Sequence, residues 1–343
     1  MFDNWRPEIL DKIKQKPDID FYWKVVGDKR RLIGNPNDAS RALHHILLTC
    51  IKDGVYKTNS DGYGIRQFPS ATGCVDGMNP ILNARKHILG KFFYITDLKD
   101  AYPSVDLERL ALILVFVDRF EKYSSEISLR NFADDENKDV LKLDPLYQET
   151  LSLLRRFFSG VRGQGLAVGG VLSPFLMNLY CEVYLDSKVR WWAERRGIVY
   201  TRYVDDLVFS SKRLITRDER REVRQFVVDS GFRVNHRKSR VLSLAQGTVF
   251  VTKVGLERQE DSPVSRLVFP QKKRRRLHGL IKAYLSQNMD WPEYVSGYIA
   301  EFLYYYRCVG KRTKTDEKTF ALCRAFEVEW AKYRTHAPHR RQK

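Results

Sequence analysis

Apolar residues along this chain recur with two different periods, and the changes between them mark out its elements. Residues 5 to 15 have the spacing of a short helix. FYWKVV and LIGNP, within residues 21 to 36, read as two strands joined by a turn at Gly27–Asp28, with Lys29, Arg30 and Arg31 at its basic tip. A helix starts at Asp38 and carries apolar residues at helical steps through DASRALHHILLTCIKDGV. A Gly-, Ser- and Asn-rich loop from 58 to 80 leads into the helix NPILNARKHILG, ending at Gly90. The strand KFFYITDL follows, then an apolar helix over 107 to 127, the acidic loop NFADDENKD and a helix to about 158. SGVRGQGLAVGGVLSP is a glycine-rich loop that opens into the helix FLMNLYCEVYLDSKVRWWAERR. The strand TRYVDDLVFS, residues 201 to 210, comes next, with a turn at Ser210–Lys212 and a charged helix near 215 to 230. Strands near 232–235, 240–243 and 248–255 precede a helical section from about 270. Strands alternating with helices, followed by helices alone, predict an α/β or α+β body and a helical C-terminal part.

One strand contradicts its own pattern. Tyr203, Val204, Leu207, Val208 and Phe209 favour a strand, yet Asp205 and Asp206 stand at its centre. A hairpin tip is one explanation, because Asp tolerates turn geometry. Asp134–Asp135 provides a contrast: Glu136, Asn137 and Lys138 follow it, and that pair reads as solvated loop. Apolar residues on both sides of Asp205–Asp206 call instead for charge compensation, which a divalent cation supplies. Asp97 closes a second apolar strand in the same way. Oxygen-rich sites of this kind suit Mg²⁺, and two ions about 3.5–4 Å apart support in-line phosphoryl displacement. Spacing alone leaves polymerase and nuclease both open.

Charge narrows the partner. Sixty Lys and Arg against 42 Asp and Glu leave a net charge of +18, which favours nucleic acid or an anionic membrane surface. The longest apolar run, LALILVFV at 110 to 117, is too short to span a bilayer. The N-terminus lacks a basic start followed by an apolar signal region. Cysteines 50, 74, 181, 308 and 323 are scattered without ligand spacing, which predicts reduced thiols in a cytoplasmic protein and no zinc module. His87 and His236 likewise lack metal-ligand spacing and are expected to do structural or backbone-contact work.

The order of motifs resembles reverse transcriptases. DLKDAY, GGVLSPFLMNLY and YVDD resemble that family's motifs A, B and C; GFRVNHRKS at 231 to 239 is similar to motif D, and GTVFVTKVGLE at 247 to 257 to the primer-grip segment. GDKRRLIGNPN resembles the fingers hairpin, and NARKH the segment before motif A in bacterial members. The resemblance implies an α+β right-hand polymerase, with fingers and palm over 1–257 and a helical, basic thumb over 258–343. It implies that Asp97, Asp205 and Asp206 hold two Mg²⁺ ions, with Mn²⁺ as a substitute, and that Lys238 protonates the pyrophosphate leaving group. Tyr102 matches the steric gate beneath the incoming sugar. Lys29 and Arg31 match residues that neutralise the triphosphate, and Gly169, Gly170 and Ser173 belong to the loop along which template and nucleotide approach the backbone. The family's Pro-Gln-Gly is Ala167-Val168-Gly169 here, so the glutamine that positions nucleotide and template is missing.

Lys272, Lys273, Arg274, Arg275 and Arg276 form a basic run suited to nucleic-acid phosphate. Trp291, Tyr294, Tyr298, Phe302 and Tyr305 fall at helical steps and are expected in the thumb core. A minimal chain of this kind, with no maturase, nuclease or RNase H region, resembles retron and other defence-associated bacterial enzymes. NARKH favours the retron side, whereas the interrupted grip Val251-Thr252-Lys253-Val254-Gly255 departs from it. The expected partners are a structured non-coding RNA template, its RNA/DNA product, dNTPs and a separate effector protein acting against phage. Template-independent or protein-primed synthesis, and a non-catalytic RNA-binding module, remain alternatives.

Overall fold

The structure, a computed structural model, describes residues 2–26, 29–57, 68–75, 77–123, 129–286, 292–310 and 312–336. Two compact units account for it: Met1–Asn79 with Phe92–Leu242, and Pro80–Lys91 with Ser243–Lys343. The predicted turn at Gly27–Asp28, residues 58–67 and 76 of the 58–80 loop, and Trp291 lie outside the described residues.

In the first unit, helix α1 (Phe2–Lys14) precedes an antiparallel ribbon of β1 (Ile19–Val26) and β2 (Lys29–Pro36), in register from Ile19 opposite Pro36 to Val26 opposite Lys29. Helix α2 (Asp38–Lys57) starts where Asn37 Oδ1 accepts from the Ser40 amide, satisfying one of the helix's free donors. Helix α3 (Pro80–Lys86) belongs to the second unit, and the chain then returns through β3 (Phe92–Asp97). Helix α4 (Leu107–Asp118) is buried from Leu107 to Val117 on all sides except Glu108 and Arg109, which fits its nearly unbroken apolar sequence. It ends earlier than the predicted 127 and is followed by the single turn α5 (Phe120–Tyr123). The acidic loop is a pair of 3₁₀ segments, Leu129–Asp134 and Glu136–Leu143; Asp135 caps the second, and exposed Asp134 pairs with Lys188 at 2.7 Å.

Helix α6 (Pro145–Phe157) and the glycine-rich loop lead to α7 (Ser173–Cys181) and α8 (Ser187–Glu194), separated by a π-turn at Glu182–Asp186. That turn buries two carboxylates, Glu182 and Asp186. Strands β4 (Val199–Tyr203) and β5 (Asp206–Ser211), helix α9 (Arg217–Asp229) and strand β6 (Arg240–Ser243) complete an antiparallel palm-type sheet of order β4-β5-β3-β6. Residues 232–235 contribute only a bridge, between Leu98 and Val234. Tyr94, Phe209 and Tyr200 stack across three strands on one face, with centroids 5.8 and 4.8 Å apart. The mixed α+β content agrees with the sequence reading.

The second unit packs α3 against the antiparallel sheet β7 (Val249–Val251), β8 (Val254–Gln259) and β9 (Ser262–Val268), followed by α10 (Gln271–Leu285), α11 (Pro292–Cys308) and α12 (Lys314–His336). The division falls after Leu242 because the 249–268 strands form their own sheet and associate with residues 80–91. In α11, Phe302 and Tyr305 are buried as predicted. Tyr294 is exposed and Tyr298 half-buried, because the inward face runs through Val295 and Ile299 instead.

Candidate active site

The turn between β4 and β5 consists of Val204 and Asp205, closed by Tyr203 opposite Asp206. Val204 has φ 56°, a left-handed conformation uncommon for a β-branched residue. The turn leaves Asp205 at the tip and Asp206 as the first residue of β5, directly opposite Asp97 at the end of β3. The Leu98 amide donates to the Asp205 carbonyl at 2.8 Å and ties the two strand ends together. A carboxylate oxygen from each of Asp97, Asp205 and Asp206 lies within 4.8 Å of the others. Asp97 is buried and the other two are half-buried. Burial, then the Asp97 charge, holds the Asp205 carboxyl above its ordinary range, against a backbone hydrogen bond and the charges of Lys238 and Arg31.

Three all-oxygen donors without sulfur or imidazole suit a hard divalent cation such as Mg²⁺ or Mn²⁺. Ligand oxygens around one Mg²⁺ lie about 3–4 Å apart, so the observed spacing fits with small side-chain adjustment. Lys238 Nζ donates to Asp97 Oδ1. Burial would lower the Lys238 ammonium, but this bond and the neighbouring carboxylates raise it. Asn235 holds Asp97 from the same side: its amide donates to the Asp97 carbonyl at 2.7 Å and its side chain to Oδ2 at 3.2 Å. Asn235 is not legible in the sequence, since nothing in its spacing announces a partner 138 residues away.

Tyr102 is half-buried in a 3₁₀ turn, Tyr102–Ser104. Burial, then Cys74 and Asp205, raises its hydroxyl pKa. The glycine-rich loop runs across this turn: a Cβ on Gly165 would lie 2.5 Å from the Tyr102 carbonyl, and the Leu166 amide donates to that carbonyl at 2.8 Å. The same loop meets β2, where the Gly34 amide donates to Val168 at 2.7 Å. Gly169 is exposed with φ 104°, and a Cβ there would strike the Gly34 carbonyl at 2.4 Å. Gly170 and Ser173 are buried, and Ser173 Oγ has no hydrogen-bond partner among the described residues. Arg31 is exposed on β2; the Lys29 side chain lies outside the described residues.

The basic run on α10 is divided in its surroundings. Lys272 and Arg275 are exposed. Lys273 pairs with Glu301, and Arg276 donates to the Tyr294 hydroxyl at 2.6 Å while lying over the Tyr298 ring. Arg274 faces inward, donating to Asp316 at 2.8 Å and to Thr319 at 3.3 Å. His87 is fully buried, and burial pushes it down to about 3, so it is a neutral structural residue. His236 lies exposed in the 3₁₀ turn His236–Lys238. The five cysteines are free thiols. No described helix is long and apolar enough to cross a membrane.

A family profile described as reverse transcriptase (RNA-dependent DNA polymerase) matches residues 14–281. Among curated proteins, the retron Mx65 reverse transcriptase of Myxococcus xanthus is 28% identical over 198 residues, covering 56% of this chain and 44% of that protein. The retron Mx162 enzyme of the same organism is 29% identical over 184 residues, and the retron Ec83 enzyme of Escherichia coli 25%. The chain spans less than half the length of each of these relatives. Among solved structures, a Candida albicans telomerase has a TM-score of 0.48 at 11% identity, covering 95% of this chain and 63% of that one.

Proposed function

The chain belongs to the reverse transcriptase family, and from that premise we propose that it is an RNA-directed DNA polymerase of the retron type. Convergence of Asp97, Asp205 and Asp206 from two strands carries this reading. Bound between these carboxylates, two divalent cations would activate the primer 3′-hydroxyl for attack on the dNTP α-phosphorus and offset charge on departing pyrophosphate. Lys238, held beside Asp97 as an ammonium, is the proton donor for that pyrophosphate. Tyr102, half-buried in its 3₁₀ turn, forms the floor under the sugar and selects against a 2′-hydroxyl. Arg31, and Lys29 on the same strand, neutralise the triphosphate, and Gly169 and Gly170 let nucleotide and template approach the backbone. Residues 1–257 serve as fingers and palm, and 258–343 as thumb. Likeness to retron enzymes supports a dedicated structured RNA as template and a separate effector in anti-phage defence.

A second reading, synthesis without a template, is favoured by one feature. Val168 stands where the family has glutamine, and its carbonyl is taken up by Gly34.

One experiment separates the readings: purification with bound nucleic acid, then separate sequencing of RNA and DNA, beside an Asp205→Asn/Asp206→Asn variant. DNA complementary to one abundant bound RNA, absent from the variant, is the expected result. Random or homopolymeric DNA would establish untemplated synthesis, and RNA without DNA in both samples would leave only a binding protein.

A further inference from the structure

A β-branched residue in left-handed conformation persists only where its surroundings hold it, and the contacts around Val204 are unusually complete. The Val204 carbonyl accepts from Arg202 Nη1 at 2.9 Å. Arg202 is fully buried, and the rest of its guanidinium is equally committed: Nε and Nη2 donate to Asp186 at 3.0 and 2.7 Å, and Nη1 also donates to Asn178 Oδ1 at 3.0 Å. Asp186 is itself buried on the π-turn and accepts from the Tyr200 hydroxyl at 2.7 Å. The main chain of Arg202 is held as firmly. Its amide donates to the Ser70 carbonyl at 2.8 Å, and its carbonyl accepts from the Thr72 amide at 2.7 Å and the Thr72 hydroxyl at 3.1 Å. This parallel bridge lays buried Ser70, Ala71 and Thr72 along the outer edge of β4.

The next residue touches the turn itself. A Cβ on Gly73 would lie 2.6 Å from the Val204 nitrogen and 3.0 Å from the Tyr203 carbonyl carbon, so only glycine fits without moving that peptide. Asn178 completes the ring of hydrogen bonds, donating to the Gly73 carbonyl at 3.0 Å while accepting from Arg202.

We infer that Arg202, Asn178 and the segment Ser70–Cys74 form a brace that sets the Val204–Asp205 turn, and through it the spacing at which Asp205 and Asp206 hold divalent cation opposite Asp97. Arg202 and Asn178 act on the turn through the Val204 and Gly73 carbonyls, so they are positioning residues. The inference rests on the polymerase reading for its purpose but on the turn geometry for its content.

The test compares wild type with Gly73→Ala and Arg202→Lys. Lysine keeps the charge against Asp186 but loses the planar fork that reaches Asp186, Asn178 and Val204 together. Mn²⁺ affinity of the free protein is read by electron paramagnetic resonance. Thermal melting, and kcat and KM for dTTP on poly(rA)/oligo(dT) over a Mg²⁺ series, are measured on the same samples. A displaced supporting residue at a metal site typically costs about 10–100-fold. Gly73→Ala is expected to weaken Mn²⁺ binding, lower kcat and raise the Mg²⁺ needed for half-activity by about that factor, with KM for dTTP and the melting temperature near wild type. Should Arg202→Lys fail to fold, Gly73→Ala decides alone. Unchanged Mn²⁺ affinity in folded Gly73→Ala, whatever its activity, would overturn the brace. A wild type inert on the primed template, but with Mn²⁺ affinity that Gly73→Ala still weakens, would overturn the polymerase reading and keep the brace.

Discussion

Tyr102 is half-buried in a 3₁₀ turn, and in the role proposed for it its ring acts on substrate choice by shape. Tyr102→Ala should therefore raise UTP incorporation relative to dTTP by about 10–100-fold, the range that pocket shape alone supplies, with little loss of dTTP turnover. The ratio of kcat/KM for the two nucleotides measures it, and an unchanged ratio would make Tyr102 an ordinary core aromatic. The three carboxylates are legible in the sequence because charge inside a β-prone apolar run is locally anomalous. Arg202, Asn178 and Gly73 carry no such mark. Arginine two residues before an Asp pair looks like an ordinary strand residue until Asp186 is found 16 residues away and Ser70 beyond it, because the contacts that give it meaning are tertiary. Arg274 misleads in the opposite direction: it reads as one of five equivalent phosphate ligands, yet its partner is Asp316.

The elements themselves show where periodicity suffices. Helix α4 and strand β3 follow from their apolar patterns, whereas TRYVDDLVFS, one strand by its pattern, is divided by the Val204–Asp205 turn into β4 and β5. Strand β9 escapes the pattern because Pro263 demotes a strand signal; as an edge strand it tolerates that proline. The π-turn at Glu182–Asp186 has no sequence signature, although it carries the carboxylate that fixes Arg202. On α9, Thr216 and Glu219 form a reciprocal cap, and Arg213 is the main cause of Glu219 being lowered from 4.5 to about 2. A depressed carboxylate contributes stability that is present above its unfolded value and lost as pH falls through the folded one. Wild type should accordingly lose stability from about pH 4.5 down to about 2 more steeply than Glu219→Gln, as read by denaturant melts across that range; parallel profiles would show that Glu219 has no part in the acid response. Helix α10 gives a paired expectation. Ala at Lys272 or Arg275 should lower the salt slope of RNA binding by about 0.9 for each phosphate no longer neutralised, with the melting temperature unchanged. Arg274→Ala, which removes the cation from buried Asp316 and leaves its Oδ2 on Thr313, should instead cost about 3 kcal/mol of stability. Equal effects at all three positions would contradict this division.

For the whole molecule, an excess of 18 positive charges supplies attraction for a polyanion without specifying its sequence, and the chemistry is proposed to lie at the acidic cluster on the palm-type sheet. Binding and reaction are therefore separable, and the most direct measurement exploits that. Single-turnover extension of a DNA primer on a defined RNA template is compared for wild type and Asp205→Asn, with RNA affinity measured on the same preparations. Wild type should add template-directed dNTPs only with Mg²⁺ or Mn²⁺ present. Asp205→Asn should fall by roughly 10³-fold or more, as loss of several kcal/mol of transition-state stabilisation requires, while RNA affinity stays the same. Extension by Asp205→Asn at a rate near wild type, or undiminished extension after chelation of divalent cations, would contradict the assignment of the Asp97–Asp205–Asp206 cluster as the polymerase centre.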